Sequence, residues 1–424
     1  MEESTDVRTR ITILQELGAA YRSIAEAEKA EYFLLKALKL TEEDENLAEI
    51  KASVLHELGD TYHHLGEWDR AIALYNESLE ITEYIGDVQG KAVTLYELAG
   101  IYANNGNVDK AIALYNQSLE ITEYIGDVQG KAVTLYELAG IYANNGNVDK
   151  AIALYNQSLK ITERIGDVQT KTATLHELAG IYADTGDVDK AIALYKWTLE
   201  ITERIGDVQN KAAMLSNLGI LYANKGEVDE AIAVYNQSLE ITQRIGNVQG
   251  KAATLSNLGI LYANKGEVDE AIALFNQSLE ITQSIENFQG KAATLHNLAG
   301  IYANKKEVDE AIALFNQSLE INERIGNVQG KTTTLSNLGI LYANKGEVDE
   351  AIALFNQSLE IRERIGDVQG LAMTLWWLGA LAEQQGEYTK AISYLQPALE
   401  ILQRLQSPDA ESVSASLDRV MRNS

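Results

Sequence analysis

The side chains best able to do chemistry in this 424-residue chain recur in lines, at a spacing of 40 residues or close to it. Asn217, Asn257, Asn297 and Asn337 form one line. A primary amide carries both a donor and an acceptor, so such a row can pair with the C=O and N–H groups of an extended backbone while ignoring its side chains. Ile220, Ile260 and Ile340 stand three residues further on and would add apolar pockets between the amides. Glu16, Glu57, Glu97, Glu137 and Glu177 form a second line in the N-terminal half. Carboxylates in that arrangement favour basic or amine-bearing segments, with Tyr96 and Tyr136 beside them available for cation–π contact. The alternative for this row is a solvated acidic face.

Other candidates are weaker. Asn104, Asn144, Asn224, Asn264, Asn304 and Asn344 lie two residues before a recurrent Gly, or Lys306 in one copy, where Asn also serves to end a helix. Trp376 and Trp377 could make a binding hot spot, or pack beneath the last helix. His56, Asp60 and His63 follow i, i+4, i+7, with His64 adjacent, a spacing that could hold a divalent transition metal. No repeated or distant ligand completes that set, and His176 and His296 fall at the position of His56 in remote copies. Polar surface residues are the expected reading, without a metal. There is no phosphate loop, no nucleophile with a plausible partner and no carboxylate pair in a distinctive setting, so neither an enzyme nor a cofactor is expected.

What positions these rows is a ten-fold tandem pattern. Residues 81–119 recur letter for letter at 121–159. A catalytic site needs different groups converging, whereas an array presents the same few groups along a line, which points to an extended binding surface. Within a copy, Leu95, Leu98, Ile101 and Tyr102 make one apolar stripe, and Ala111, Leu114, Tyr115, Leu119 and Ile121 a second, giving two amphipathic helices. Gly106 and Gly126 sit where each helix should stop, and Asn107 and Asp127 follow as N-caps. Glu286 and Lys306 replace the junction glycines of one copy, which marks a local weak point or bend.

The copy at 251–290 reads Leu255, Leu258, Gly259, Tyr262, then Ala271 and Phe275, with spacings L-x2-L-G-x2-Y and A-x3-F. This resembles the tetratricopeptide repeat (TPR) family, and the 40-residue period resembles its longer variants in kinesin light chains, Pins-type adaptors and bacterial regulatory proteins. The usual Trp is Leu or Val-Leu here, and residues such as Glu123, Gln243 and Glu363 replace the closing Pro. The resemblance implies an all-α right-handed superhelix whose first helices line a concave groove. Groove positions would then be Tyr96, Glu97, Gly100, Ala103 and Asn104 in the third copy, and Ser256, Asn257, Ile260, Ala263 and Asn264 in the seventh. The Asn217 row resembles the asparagine ladders that grip peptides in TPR superhelices. Residues 1–406 are expected to form the ten repeats, with degenerate first and last copies, and residues 407–424 a capping helix carrying Val413, Leu417, Val420 and Met421. Both ends thus read as capped, as in a self-contained array.

Composition narrows the partners. The net charge is −27, which disfavours nucleic acid and anionic membranes because phosphate binding rests on clustered Lys and Arg. No apolar run approaches a membrane span, and Met1 to Arg10 lack a signal peptide's apolar core. Cysteine is absent, excluding disulfides and thiol chemistry and fitting a cytoplasmic protein. The expected function is a scaffold or adaptor binding a protein or an extended peptide, basic toward the N-terminal half. The alternatives are a regulatory or sensor arm of a signalling or CHAT-protease-type system, and a self-associating spacer.

Overall fold

A computed structural model describes residues 2–42 and 45–423; Met1, Glu43, Asp44 and Ser424 of the expected domains lie outside the described residues. Among the described residues all regular structure is helical, and the chain divides into two compact units, Met1–Ile205 and Gly206–Ser424. The first unit holds α1 (Glu2–Ser23), α2 (Ala27–Thr41), α3 (Ala48–His64), α4 (Trp68–Ile85), α5 (Val88–Asn104), α6 (Val108–Ile125), α7 (Val128–Asn144), α8 (Val148–Ile165), α9 (Val168–Asp184) and α10 (Val188–Ile205), with a 3-10 turn at Glu45–Leu47. The second holds α11 (Val208–Asn224), α12 (Val228–Arg244), α13 (Val248–Asn264), α14 (Val268–Ser284), α15 (Phe288–Asn304), α16 (Val308–Arg324), α17 (Val328–Lys345), α18 (Val348–Ile365), α19 (Val368–Gln384), α20 (Tyr388–Arg404) and α21 (Asp409–Asn423).

Each odd-numbered helix up to α19 pairs with the even-numbered helix that follows it. The pair closes because one partner is small where the other is large. Ala99 of α5 and Tyr115 of α6 are buried in one apolar cluster with Leu135 and Leu138 of the next copy. Where glycine takes the small position the aromatic comes closer still: a Cβ on Gly59 would stand 2.7 Å from the Tyr75 ring and one on Gly259 2.9 Å from the Phe275 ring, so only glycine lets those rings lie on α3 and α13. A hydrogen bond fixes the register. Ser118 Oγ donates to the Ala92 carbonyl at 2.9 Å, and Ser78, Ser158, Ser238, Ser278 and Ser318 repeat the bond 26 residues back. First helices also touch first helices of the neighbouring pair, α3 with α5 and α7 with α9 in one unit, α13 with α15 and α15 with α17 in the other. Among the described residues, second helices make no contacts of that extent, so each unit sets its first helices closest together.

The turns do double work. Gly86 takes a φ of 74°, letting the Asp87 N–H reach the Thr82 carbonyl at 2.9 Å, while the Asp87 carboxylate accepts from the Gly90 N–H at 2.9 Å and caps α5. One residue thus ends one helix and begins the next. Two expectations need correction. Asn107 occupies the N-cap position of α6 but makes no side-chain cap bond; its ψ is 67°, against 88° at Asp87. Met421 is exposed, because the face of α21 that packs on α20 carries Val413, Leu417 and Val420 and turns Met421 outward.

Where glycine is missing the chain still takes the left-handed turn: φ is 59° at Ala25, 54° at Glu286, 64° at Lys306 and 52° at Gln406. A side chain in that conformation costs about 1 kcal/mol. The variants Glu286→Gly and Lys306→Gly should each stabilise the protein by up to about 1 kcal/mol in urea denaturation. An unchanged or lower midpoint for both would show that these turns carry no strain.

Candidate functional site

Side chains on the first helices of the N-terminal unit form a continuous acidic and phenolic strip. Asp60, Glu97, Glu137 and Glu177 are each half-buried, on α3, α5, α7 and α9. Phenols pack around them. The Tyr75 hydroxyl donates to Asp60 at 2.5 Å, Tyr96 hydrogen-bonds Glu137 of the following repeat, and Tyr96 and Tyr136 meet Tyr115 and Tyr155 edge-on with ring centroids 5.4 and 5.6 Å apart. Burial, then the negative charges of Asp60 and Glu137, lift the Glu97 carboxyl to about 7, with Arg22 opposing. Burial also raises Glu137, although its hydrogen bond from Tyr96 pulls the other way. Arg22 lies 3.3 Å from Asp60 at one end of the strip, and Glu57 accepts from Gln15 at 2.9 Å on Oε1 while its buried Oε2 has no hydrogen-bond partner among the described residues.

The second unit places Asn217, Asn257, Asn297 and Asn337 at the equivalent position, half-buried on α11, α13, α15 and α17. Asn257 is hydrogen-bonded to Tyr235. Asn337 Nδ2 lies 3.1 Å from His296 Nε2, and His296 Nδ1 lies 3.1 Å from Thr334 Oγ1, which donates to the Gly330 carbonyl at 2.8 Å. Only one proton order fits that chain: Asn337 donates to Nε2, and the Nδ1–H donates to Thr334. Burial lowers the His296 pKa and favours this neutral form. Ile220 and Ile260 are 45% and 38% exposed beside the amides, whereas Ile340 is drawn partly into a cluster with Phe355.

The remaining candidates separate. Asn224, Asn264 and Asn304 are exposed final residues of their helices, and Asn344, also exposed, is the last but one of α17. Trp377 stacks on Phe355 with centroids 6.1 Å apart, and Trp376 packs into the cluster that includes Val413 of α21. His56 turns Nε2 toward Asp60 at 3.6 Å and Nδ1 toward Thr94 at 3.3 Å; His63 pairs with the His64 ring instead. Among the described residues no three His, Asp or Glu side chains gather as a metal site.

Family profiles agree with this architecture. One described as tetratricopeptide repeat matches residues 50–124, 130–204, 210–284 and 290–364, and a second matches residues 92–163. The chain belongs to the tetratricopeptide repeat family. No curated protein sequence matches it. Among solved structures, the TPR chain is similar to apo RapI, at 15% identity over 84% of this chain and 98% of that one, TM-score 0.65. It is similar also to a signal-transduction ATPase with a tetratricopeptide repeat sensor from Pyrococcus horikoshii, at 17% identity over 87% of this chain, TM-score 0.60; the TPR chain spans about half that protein's length, 54%. A Podosopora anserina kinesin light chain with nearly identical TPR-like repeats is 26% identical over 45% of this chain and 95% of that one, TM-score 0.40. TPR solenoids generally mediate protein–protein interaction.

Sequence reading of the TPR array overlooked Asp60 as a member of the strip, having assigned it to the histidines. The signal was there: it sits three residues after Glu57, the spacing that puts two side chains on one helix face. The elevated Glu97 carboxyl gives a direct test. Its ordinary pKa is 4.5 and its folded value about 7, so the folded state holds the proton more tightly. That stabilisation is complete below pH 4.5 and is lost as pH rises to about 7. Glu97→Gln should therefore raise stability at about pH 8 by roughly 1–3 kcal/mol and leave it unchanged at about pH 4. Equal stability of variant and parent at the higher pH would contradict the assigned environment.

Proposed function

We propose that this protein is an interaction scaffold that holds an extended segment of a partner protein along its first helices. In the N-terminal unit the segment is basic, held by Glu97, Glu137 and Glu177 with Tyr96 and Tyr136. In the C-terminal unit, Asn217, Asn257, Asn297 and Asn337 pair with the partner's backbone, with Ile220, Ile260 and Ile340 between them. The observation that carries this reading is the setting of Glu97: it is half-buried among like charges, and among the described residues only Arg22 at the strip's end opposes them. Carboxylates held that way gain more from an incoming cation than solvated surface acids do, because partial burial strengthens the new pair.

The asparagines are compatible with a ladder. An amide has two N–H donors and a carbonyl. The Asn337 contact with His296 uses one donor, leaving the other and the carbonyl for a ligand. With a net charge of −27, nucleic acid is not the proposed partner. No described helix is long and apolar enough to cross a membrane. A second reading, a regulatory arm that works with an effector, draws on the likeness to the TPR-sensor ATPase.

Fluorescence anisotropy with a labelled oligolysine peptide at low salt tests the first reading. Replacing Glu97, Glu137 and Glu177 together by Gln should weaken binding about tenfold, and added salt should weaken the parent in the same direction. Identical affinities for parent and triple variant would remove the acidic strip from the account.

A further inference from the structure

Two adjacent repeats with the same backbone design differ in charge at one place. Residues 81–119 and 121–159 are identical, but Glu120 is followed one repeat later by Lys160, and Tyr124 by Arg164. Both new cations line a cavity of about 630 Å³ between the end of α6, the start of α7 and the end of α8, with Lys131, Glu123, Asp127 and Ile161. Glu123 is tied to Lys131 at 2.8 Å, and Asp127 accepts from the Gly130 N–H at 2.8 Å. Lys160 and Arg164 have no ion pair or hydrogen bond among the described side chains, and both are exposed.

The charge reversal is local and large. Lys131, Lys160 and Arg164 against Glu123 and Asp127 give a formal +1, whereas the equivalent Lys91 against Glu83, Asp87 and Glu120 one repeat earlier gives −2. In the corresponding cavity of the second unit, of about 400 Å³, Glu360 stands where Lys160 does and offsets Arg364. Every other copy from Glu80 to Glu400 carries glutamate at this point. Arginine recurs at the Arg164 position in Arg204, Arg244, Arg324, Arg364 and Arg404, each with a glutamate one helical turn earlier, so it is Lys160 that sets this cavity apart and leaves Arg164 without that opposing charge.

We infer that the cavity at Lys131, Lys160 and Arg164 is a binding site for an oxyanion, a carboxylate or phosphate, presented by a peptide segment of a partner. It is separate from the first-helix strip and opposite to it in sign. The Arg164 guanidinium supplies a planar fork of donors and Lys160 a point charge beside it, with Ile161 as the apolar floor.

The test is a repeat-to-repeat exchange, which the preceding copy shows the scaffold accepts. Labelled hexaglutamate and a labelled phosphoserine peptide are titrated by anisotropy against the parent, K160E/R164Y, which restores the preceding repeat's residues, and E120K/Y124R, which transplants the pair. A control, R404E, reverses an exposed charge in the other unit. The site predicts binding of at least one probe by the parent, about tenfold weaker in K160E/R164Y and unchanged in R404E, with a second equivalent site in E120K/Y124R. Which probe binds identifies carboxylate or phosphate as the group recognised. No binding of either probe, equal affinity in K160E/R164Y, or an equal loss in R404E would overturn the inference.

Discussion

The contact between one large residue of each second helix, aromatic except at Leu34 and Leu395, and a small residue of its first helix sets the repeating unit, since neither amphipathic helix can bury its stripe alone. Tyr115 over Ala99 and Phe275 over Gly259 are two solutions to one packing problem, the second bringing the ring onto the helix backbone itself. Burying such side chains is worth about 1.5–3 kcal/mol each. The recurring surface pairs, Lys91 with Glu83 or Lys331 with Glu323, contribute at most about 1 kcal/mol. Apolar closure, repeated at each pair and between neighbours, therefore holds the array, and the serine bonds to the facing helix fix its register.

That division of labour leaves the exposed side of the first helices free to vary. In the N-terminal unit it carries carboxylates and phenols; in the C-terminal unit it carries amides and isoleucines. The switch from Ala99-Gly100 to Gly219-Ile220 belongs to both layers. Moving glycine under the aromatic ring admits a large side chain at the next, outward position. Core packing and surface chemistry are coupled there by a single residue.

Much of this was legible in the sequence. Helix pairs, turn glycines and the rows of Asn and Glu follow from periodicity alone, and the left-handed turns at Glu286 and Lys306 follow from where glycine ought to be. The rest depended on contacts that periodicity does not encode. Whether Asn107 caps a helix turns on a difference of about 20° in ψ at two otherwise similar junctions. The bond from Tyr96 to Glu137 joins residues in different repeats, as does that from Asn337 to His296, so neither is visible within one copy. Trp376 and Trp377 look the same on paper but pack into different clusters, because neighbouring positions on a helix point about 100° apart.

We propose that the first helices, and not the second, present the face that takes the basic segment. Site-specific photocrosslinking measures this directly, with a benzophenone side chain at Ala103 on α5 or at Gln117 on α6, and labelled oligolysine as the probe. Ala103 is expected to capture the peptide, with excess unlabelled peptide competing it away, whereas Gln117 is expected not to capture it. Capture at Gln117 alone, or equally at both positions, would contradict the proposal.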